Sequence, residues 1–156
     1  MAKEIERKFL VVKDDWRGMS RGSARIRQFY LATGPDRSMR VRLDGTGARL
    51  TLKFGAAGRE RDEFEYPIPA GDAEEMAAFA VGAPIEKERY QVAHGGRLYE
   101  VDVFGGPLAG LVMAELETPD AVPSRELPDW LGREVTGDAA FYNASLARNG
   151  RPAATS

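Results

Sequence analysis

Polar and apolar positions alternate with a period of two along most of the chain, the pattern of strands with one face turned to a core. Residues 3–12 place Glu4, Glu6 and Lys8 on one face and Ile5, Phe9 and Val11 on the other. Residues 38–44 set Arg40 and Arg42 against Met39, Val41 and Leu43; residues 48–54 set Arg49, Thr51 and Lys53 against Leu50, Leu52 and Phe54. The same phase carries Arg59, Arg61, Glu63 and Glu65 in 59–68, Lys87 and Arg89 in 85–93, Glu100 and Asp102 in 97–104, and Glu115 and Glu117 in 111–117. Residues 24–32 alternate less cleanly but hold β-branched and aromatic side chains.

Glycine-bearing turns separate these runs, among them Asp44-Gly45-Thr46-Gly47, Gly95-Gly96 and Gly105-Gly106-Pro107. Eight strand candidates on short turns predict a mainly β (α+β) fold, an antiparallel meander that is closed or nearly closed. Three stretches leave the period. Residues 14–20 read as one short helix, residues 71–80 as a helix with Asp72 at its N-cap, and residues 138–148 as a helix ended by Asn149-Gly150. No repeat or linker divides the chain, so residues 1–150 are expected to form one domain, with 151–156 as a frayed tail.

The polar strand faces are almost wholly ionic. They carry the acids Glu4, Glu6, Glu63, Glu65, Glu100, Asp102, Glu115 and Glu117 and the bases Lys8, Arg40, Arg42, Lys53, Arg61, Lys87 and Arg89. Two architectures could hold them. The charged faces could meet solvent around an apolar core, or line a lumen with the apolar faces packed outside. Unpaired ions cannot sit dry in a small barrel, because each buried charge costs several kcal/mol. The pattern alone therefore favours the solvent-facing version.

Composition narrows the chemistry. The net charge of −2 excludes a dominant basic field for duplex nucleic acid. No apolar run is long enough for a membrane helix, and the acids within residues 1–15 do not suit a signal peptide. A cytoplasmic location is the resulting expectation. With no cysteine and a single histidine, His94, thiolate and multi-histidine metal sites are impossible within one chain, so a catalytic metal must take oxygen ligands. His94 precedes the Gly95-Gly96 turn and is expected at the surface or as a cap. Trp16 and Trp130 are expected as packing anchors, and Arg25, Arg27, Arg49 and Arg59 as surface groups rather than tunnel mouth.

Glu4-Ile5-Glu6-Arg7-Lys8 sets two carboxylates about 7 Å apart on one strand face with an ammonium next along. Such a pair can share a hard cation or simply edge a strand. Its companions are Arg40-Val41-Arg42, Thr51-Leu52-Lys53, Arg61-Asp62-Glu63-Phe64-Glu65, Lys87-Glu88-Arg89, Val101-Asp102 and Ala114-Glu115-Leu116-Glu117. In this order, from Lys3 to about Leu146, the set resembles the CYTH superfamily of triphosphate tunnel metalloenzymes. The trailing Trp130-Leu131-Gly132, Glu134-Val135-Thr136 and Tyr142-Asn143 resemble its compact bacterial members.

The resemblance implies an eight-stranded antiparallel β-barrel with a charged lumen and a few flanking helices, the second architecture above. It implies that Glu4, Glu6, Glu115 and Glu117 hold Mg²⁺ or Mn²⁺, partly through water. Lys8, Arg40, Arg42, Lys53, Arg61, Lys87 and Arg89 would grip the phosphates, with Glu63, Glu65 and Asp102 in support. Tyr30 would point inward and touch Lys87, or simply pack. The groups expected to carry catalysis are Glu4, Glu6, Lys8, Arg42, Lys87 and Glu117. Glu100 stands where some relatives carry a base, and Met113 where some carry an acid.

The implied reaction is metal-dependent hydrolysis of inorganic tripolyphosphate to pyrophosphate and phosphate by metal-activated water. The same clamp would serve a class IV-type adenylyl cyclase, a thiamine triphosphatase, a nucleoside triphosphatase or, without chemistry, a polyphosphate-binding module. Apolar outer strand faces that two modest helices cannot cover point to a homodimer.

Overall fold

The computed structural model describes residues 2–55 and 60–152, with side chains from Glu6 onward. Among them nine strands form one antiparallel sheet: β1 (Ala2–Val11), β2 (Ser20–Thr33), β3 (Arg37–Asp44), β4 (Gly47–Phe54), β5 (Glu60–Ile68), β6 (Val81–His94), β7 (Arg97–Phe104), β8 (Val112–Glu117) and β9 (Leu131–Glu134). The order is β5-β4-β3-β2-β6-β7-β8-β1-β9, and β1 pairs with β5 as well. That last pairing joins β5, at one end of the order, to the next-to-last strand, but only through residues 2–5 of β1 against 60–63 of β5. Phe9 and Val11 instead meet β9. The expected eight-stranded barrel is thus present, fastened to β5 at the start of β1 and extended at the other end of β1 by a ninth strand.

The turns follow from their residues. Asp44 Oδ1 accepts from the Thr46 N–H at 2.8 Å and from its hydroxyl at 2.6 Å, a side-chain turn that links β3 to β4. Gly95 and Gly96 both take positive φ (59° and 75°) between β6 and β7, as the favoured two-residue hairpin turns require.

The apolar side chains form three clusters, and strand phase explains them. Phe29, Val41 and Ala48 face outward from β2–β4 and pack with Ala73 of α1 (Ala70–Met76). Tyr99, Val101, Ala114 and Leu116 face outward from β7 and β8, beneath Trp16 and Trp130. Both tryptophans are the packing anchors expected of them. The third cluster is inward. Leu10, Tyr30, Ile85, Phe104 and Met113 share the phase of Lys8, Gln28, Lys87, Asp102 and Glu115, and they pack with Phe141, Leu146 and Ala147. The lumen face therefore changes from ionic to apolar along the strands, and Met113 belongs to that apolar end.

Helical segments depart from expectation in detail. Residues 14–20 contain a 3₁₀ helix, Asp15–Met19. α1 starts one residue after Pro69, which places Asp72 in its first turn rather than at the N-cap, where its charge still favours the helix dipole. The 71–80 prediction continues as 3₁₀ over Ala77–Phe79. The 138–148 prediction divides into a 3₁₀ turn, Ala139–Phe141, capped by Asp138, and α2 (Asn143–Asn149). The extended backbone of Tyr142 makes the break (φ −72°, ψ 141°). Gly150 ends α2 with φ +77°, as expected.

α2 is held against β6 by a glycine. A Cβ on Gly82 would stand 2.5 Å from the Ala147 carbonyl oxygen, at φ +78°. β9 is fixed by Arg7, whose Nε and Nη2 bind both oxygens of Glu134 at 2.9 and 2.7 Å. Thr136 Oγ1 and the Val135 N–H take up the Lys8 backbone N–H and carbonyl.

Candidate active site

Strand register brings the ionic residues together in rows. Glu6 of β1 lies opposite Glu117 of β8, and Lys8 opposite Glu115. The Lys8 ammonium stands between Glu6 Oε1 at 3.7 Å and Glu115 Oε1 at 3.6 Å. Across the sheet, Arg89 of β6 faces Asp102 of β7 and binds it bidentately at 2.7 and 2.8 Å. Arg89 also reaches Glu100 at 3.3 Å and Glu115 at 3.7 Å, which accounts for the acid at position 100. Lys87 lies 2.7 Å from Asp102.

The remaining bases come from the β3–β5 wall. Arg40, Thr51 and Glu65 form one row, in which Arg40 donates to Thr51 Oγ1 at 3.4 Å and Thr51 donates to Glu65 at 3.1 Å. Lys53 pairs with Glu63 at 3.6 Å, and Arg61 with Glu6 at 3.9 Å. Glu4 is opposite Arg61 in the backbone register; its side chain, and Arg59 entirely, lie outside the described residues.

Apart from Glu4 and the buried Asp102 and Thr51, these groups line a cavity of about 570 Å³. Nine cationic residues and six acidic ones line it among the described residues, so it carries an excess of positive charge on a chain of net charge −2. Arg42, Glu65, Arg89 and Glu100 are shared with a second opening of about 370 Å³, where Arg49 also stands. Arg49 is half exposed and paired with Glu65, at a mouth as well as at the surface. Arg25 is exposed, and Arg27 is an outer group paired with Glu74. His94 packs by the β6–β7 turn against Tyr99, away from the cavity.

The charges hold one another in place. Burial opposes the Lys8 charge, but Glu115 and then Glu6 outweigh it and raise the pKa. Glu115 is held well below the usual carboxylate range, burial being overcome by Lys8, Arg89, Lys87 and Lys53. Asp102 is lowered in the same way by Lys87 and Arg89. Arg42 falls to about 10, through burial first and then repulsion from Arg40 and Arg89. Lys87 falls to about 7. Burial is the main cause; Asp102 opposes it but shares its charge with Arg89, while Arg89 and Arg42 repel. Lys87 meets the cavity only at its wall, its side chain being 1% exposed.

Three site residues lie outside the ionic pattern. Tyr142 stacks its ring 5.3 Å from Lys8 Nζ and 5.8 Å from Arg61 Cζ. Asn143 accepts from Lys87 at 3.2 Å, and the fully buried Gln28 accepts from Arg42 at 3.2 Å. Gln28 sits in phase on β2, yet a search for charges passes over it. Tyr30 points inward as expected, lines the cavity and lends its field to Lys8; the hydrogen-bonding partners of Lys87 are Asp102 and Asn143.

Among the described residues no three acids stand ready as a cation cage. Glu6, Glu115 and Glu117 nonetheless line the cavity with oxygen donors alone, and Glu6 and Glu117 are cross-strand partners. Such a set suits a hard cation that keeps water and takes its other ligands from substrate phosphates.

A barrel with a cation-rich ionic lumen and acids on two adjoining strands defines a class: antiparallel tunnel proteins with a charged bore. The chain belongs to the CYTH domain family, whose model matches residues 2–148. It is 43% identical over 150 residues to an inorganic triphosphatase of Acetivibrio thermocellus, covering 96% of both chains. It is 37% identical over 148 residues to one of Nitrosomonas europaea, covering 92% of this chain and 96% of that one. The crystal structure of the inorganic triphosphatase NE1496 matches at TM-score 0.65 and 34% identity, over 94% and 95% of the chains. A Hippeastrum adenylyl cyclase candidate with dominant triphosphatase activity shares the fold alone, at TM-score 0.59 and 14% identity over 75% and 80%.

Proposed function

We propose that this chain hydrolyses inorganic triphosphate to phosphate and pyrophosphate with the help of a divalent cation. One observation carries the reading: a cavity with an excess of cations, set in an acidic chain whose relatives are named inorganic triphosphatases. The cation would be Mg²⁺ or Mn²⁺, held by Glu6, Glu115 and Glu117 with Glu4. Such an ion neutralises phosphate charge and lowers the pKa of a water it binds.

The chain's own residues do the rest. Phosphoryl transfer asks the protein mainly for positioning and charge stabilisation. The forks of Arg40, Arg42 and Arg61, with Lys8, Lys53, Lys87 and Arg89, bind the phosphate oxygens and hold the chain in line. Glu63, Glu65 and Asp102 orient those bases and keep the empty tunnel near neutrality.

Phosphate release from tripolyphosphate and ATP, side by side with Mg²⁺, Mn²⁺ or a chelator, tests the reading. Metal-dependent release much faster from tripolyphosphate is expected. Cyclic AMP and pyrophosphate in the ATP tubes would make it a cyclase, and tight binding without turnover a polyphosphate module. Among the described residues no helix is long and apolar enough to cross a membrane, and a cytoplasmic enzyme remains the reading. Exposed Phe79 and Tyr66 support a homodimer; a sedimentation mass of one chain would remove that part.

A further inference from the structure

Two uncharged side chains run between the tunnel cations. Gln28 and Asn143 are buried on β2 and at the start of α2, and Gln28 Nε2 donates to Asn143 Oδ1 at 3.1 Å. The same Asn143 oxygen accepts from Lys87 Nζ at 3.2 Å, and Gln28 Oε1 accepts from Arg42 Nε at 3.2 Å. The direction of this chain is forced. A guanidinium and a protonated ammonium can only donate, so Arg42 and the charged form of Lys87 each fix an amide oxygen toward themselves. With its oxygen on Arg42, Gln28 must turn its NH₂ toward Asn143, whose oxygen is already turned to Lys87. No other assignment of the two amides satisfies both ends.

We propose that Gln28 and Asn143 are positioning residues: their amide pair holds the Lys87 ammonium and the Arg42 guanidinium in place for phosphate and ties α2 to the tunnel wall. Gln28 takes the Nε of Arg42 and leaves both Nη groups, which have no hydrogen-bond partner among the described residues, for an incoming oxyanion. Asn143 and Asp102 take two of the three donors of Lys87, whose Nζ also lies 5.3 Å from the Phe104 ring centroid. Sequence spacing could not pair Gln28 with Asn143, which stand 115 residues apart. The inference rests on the tunnel being the triphosphate site.

The test is a double-mutant cycle on the full chain, reading kcat/KM for tripolyphosphate with Mg²⁺. Asn143→Leu removes the acceptor at similar size, and Lys87→Met removes its donor. Asn143→Leu is expected to cost about tenfold or more in the wild-type background and under about threefold beside Lys87→Met. Equal losses in both backgrounds overturn the proposal. So does tighter tripolyphosphate binding by Asn143→Leu, which would make the amide a competitor for Lys87. If turnover is too slow beside Lys87→Met, tripolyphosphate affinity without metal, read by calorimetry, runs the same cycle. If Asn143→Leu does not fold, Gln28→Met with Arg42→Ala asks the same question from the other end. Failure of the underlying reading looks different: wild type would release no phosphate, while the affinity cycle still reports on the relay.

Discussion

An ammonium enclosed as Lys87 is ordinarily gives up its proton, and here its pKa stands near 7 despite a carboxylate at 2.7 Å. The free value is near 10.4, so between about 7 and 10 the unfolded chain binds more protons at this residue than the folded one. Its drag on stability is therefore complete below pH 7 and fades as pH rises through that window. A polyanion beside Lys87 pulls the pKa up again. Binding of tripolyphosphate at pH 8 should accordingly take up protons, seen as binding heats that differ between buffers of unlike ionisation enthalpy; heats independent of the buffer would contradict it. Glu6→Ala and Arg42→Ala should each cost about a hundredfold in kcat, the usual scale for one charge-stabilising group. Near wild-type turnover in both would undo the site assignment. The ionic residues were readable from phase alone, because charge on every second position is conspicuous. Gln28, Tyr142 and Asn143 were not, since their roles arise from contacts with residues distant in the chain.

At the scale of elements, alternation located eight strands to within a few residues, because a strand with one apolar face repeats with period two. β9 is not legible in the sequence: four residues are too few for a period, and it exists because Arg7 and the Lys8 backbone draw 131–136 alongside β1. The sequence predicts a continuous C-terminal helix because Tyr142 has no intrinsic breaker character; its ring is drawn to Lys8 and Arg61 instead. The seating of α2 also depends on Gly82. Gly82→Ala would force a side chain to positive φ against a carbonyl oxygen. A cost of about 2 kcal/mol follows from the backbone alone. For a chain of this size that lowers Tm by roughly 4–8 °C, measurable by calorimetry. An unchanged Tm would mean that α2 moves aside freely.

Across the whole molecule, the charge budget is divided by location. The chain as a whole is slightly acidic, yet among the described residues the lumen lining holds more bases than acids, so positive field is concentrated inside the barrel. Periodicity shows that one face of each strand is ionic but not whether it faces in or out; the resemblance implies the inward choice, and the register sets Lys8 opposite Glu115 on a cavity that Arg42 also lines. A polyanion entering the cavity would offset the excess of cationic residues that line it among the described residues. Tripolyphosphate at a hundred times its Kd should stabilise the fold by about 2.7 kcal/mol, or roughly 5–10 °C in Tm, and chelator should reduce but not abolish the rise. No shift at saturating ligand would mean that the cavity does not hold it.

The three partners of β1 have a bearing on how the protein is made. Its pairing residues in β8 and β9 lie more than a hundred positions downstream. During synthesis at roughly 5–20 residues per second, the first strand waits on the order of ten seconds for them. Until then the nascent chain is an unfastened ribbon with an unpaired edge, and such long-range closure is intrinsically slow. Charged side chains on β1 keep that waiting edge soluble, so Glu6 and Lys8, which later line the cavity, also guard the strand against aggregation before the barrel exists.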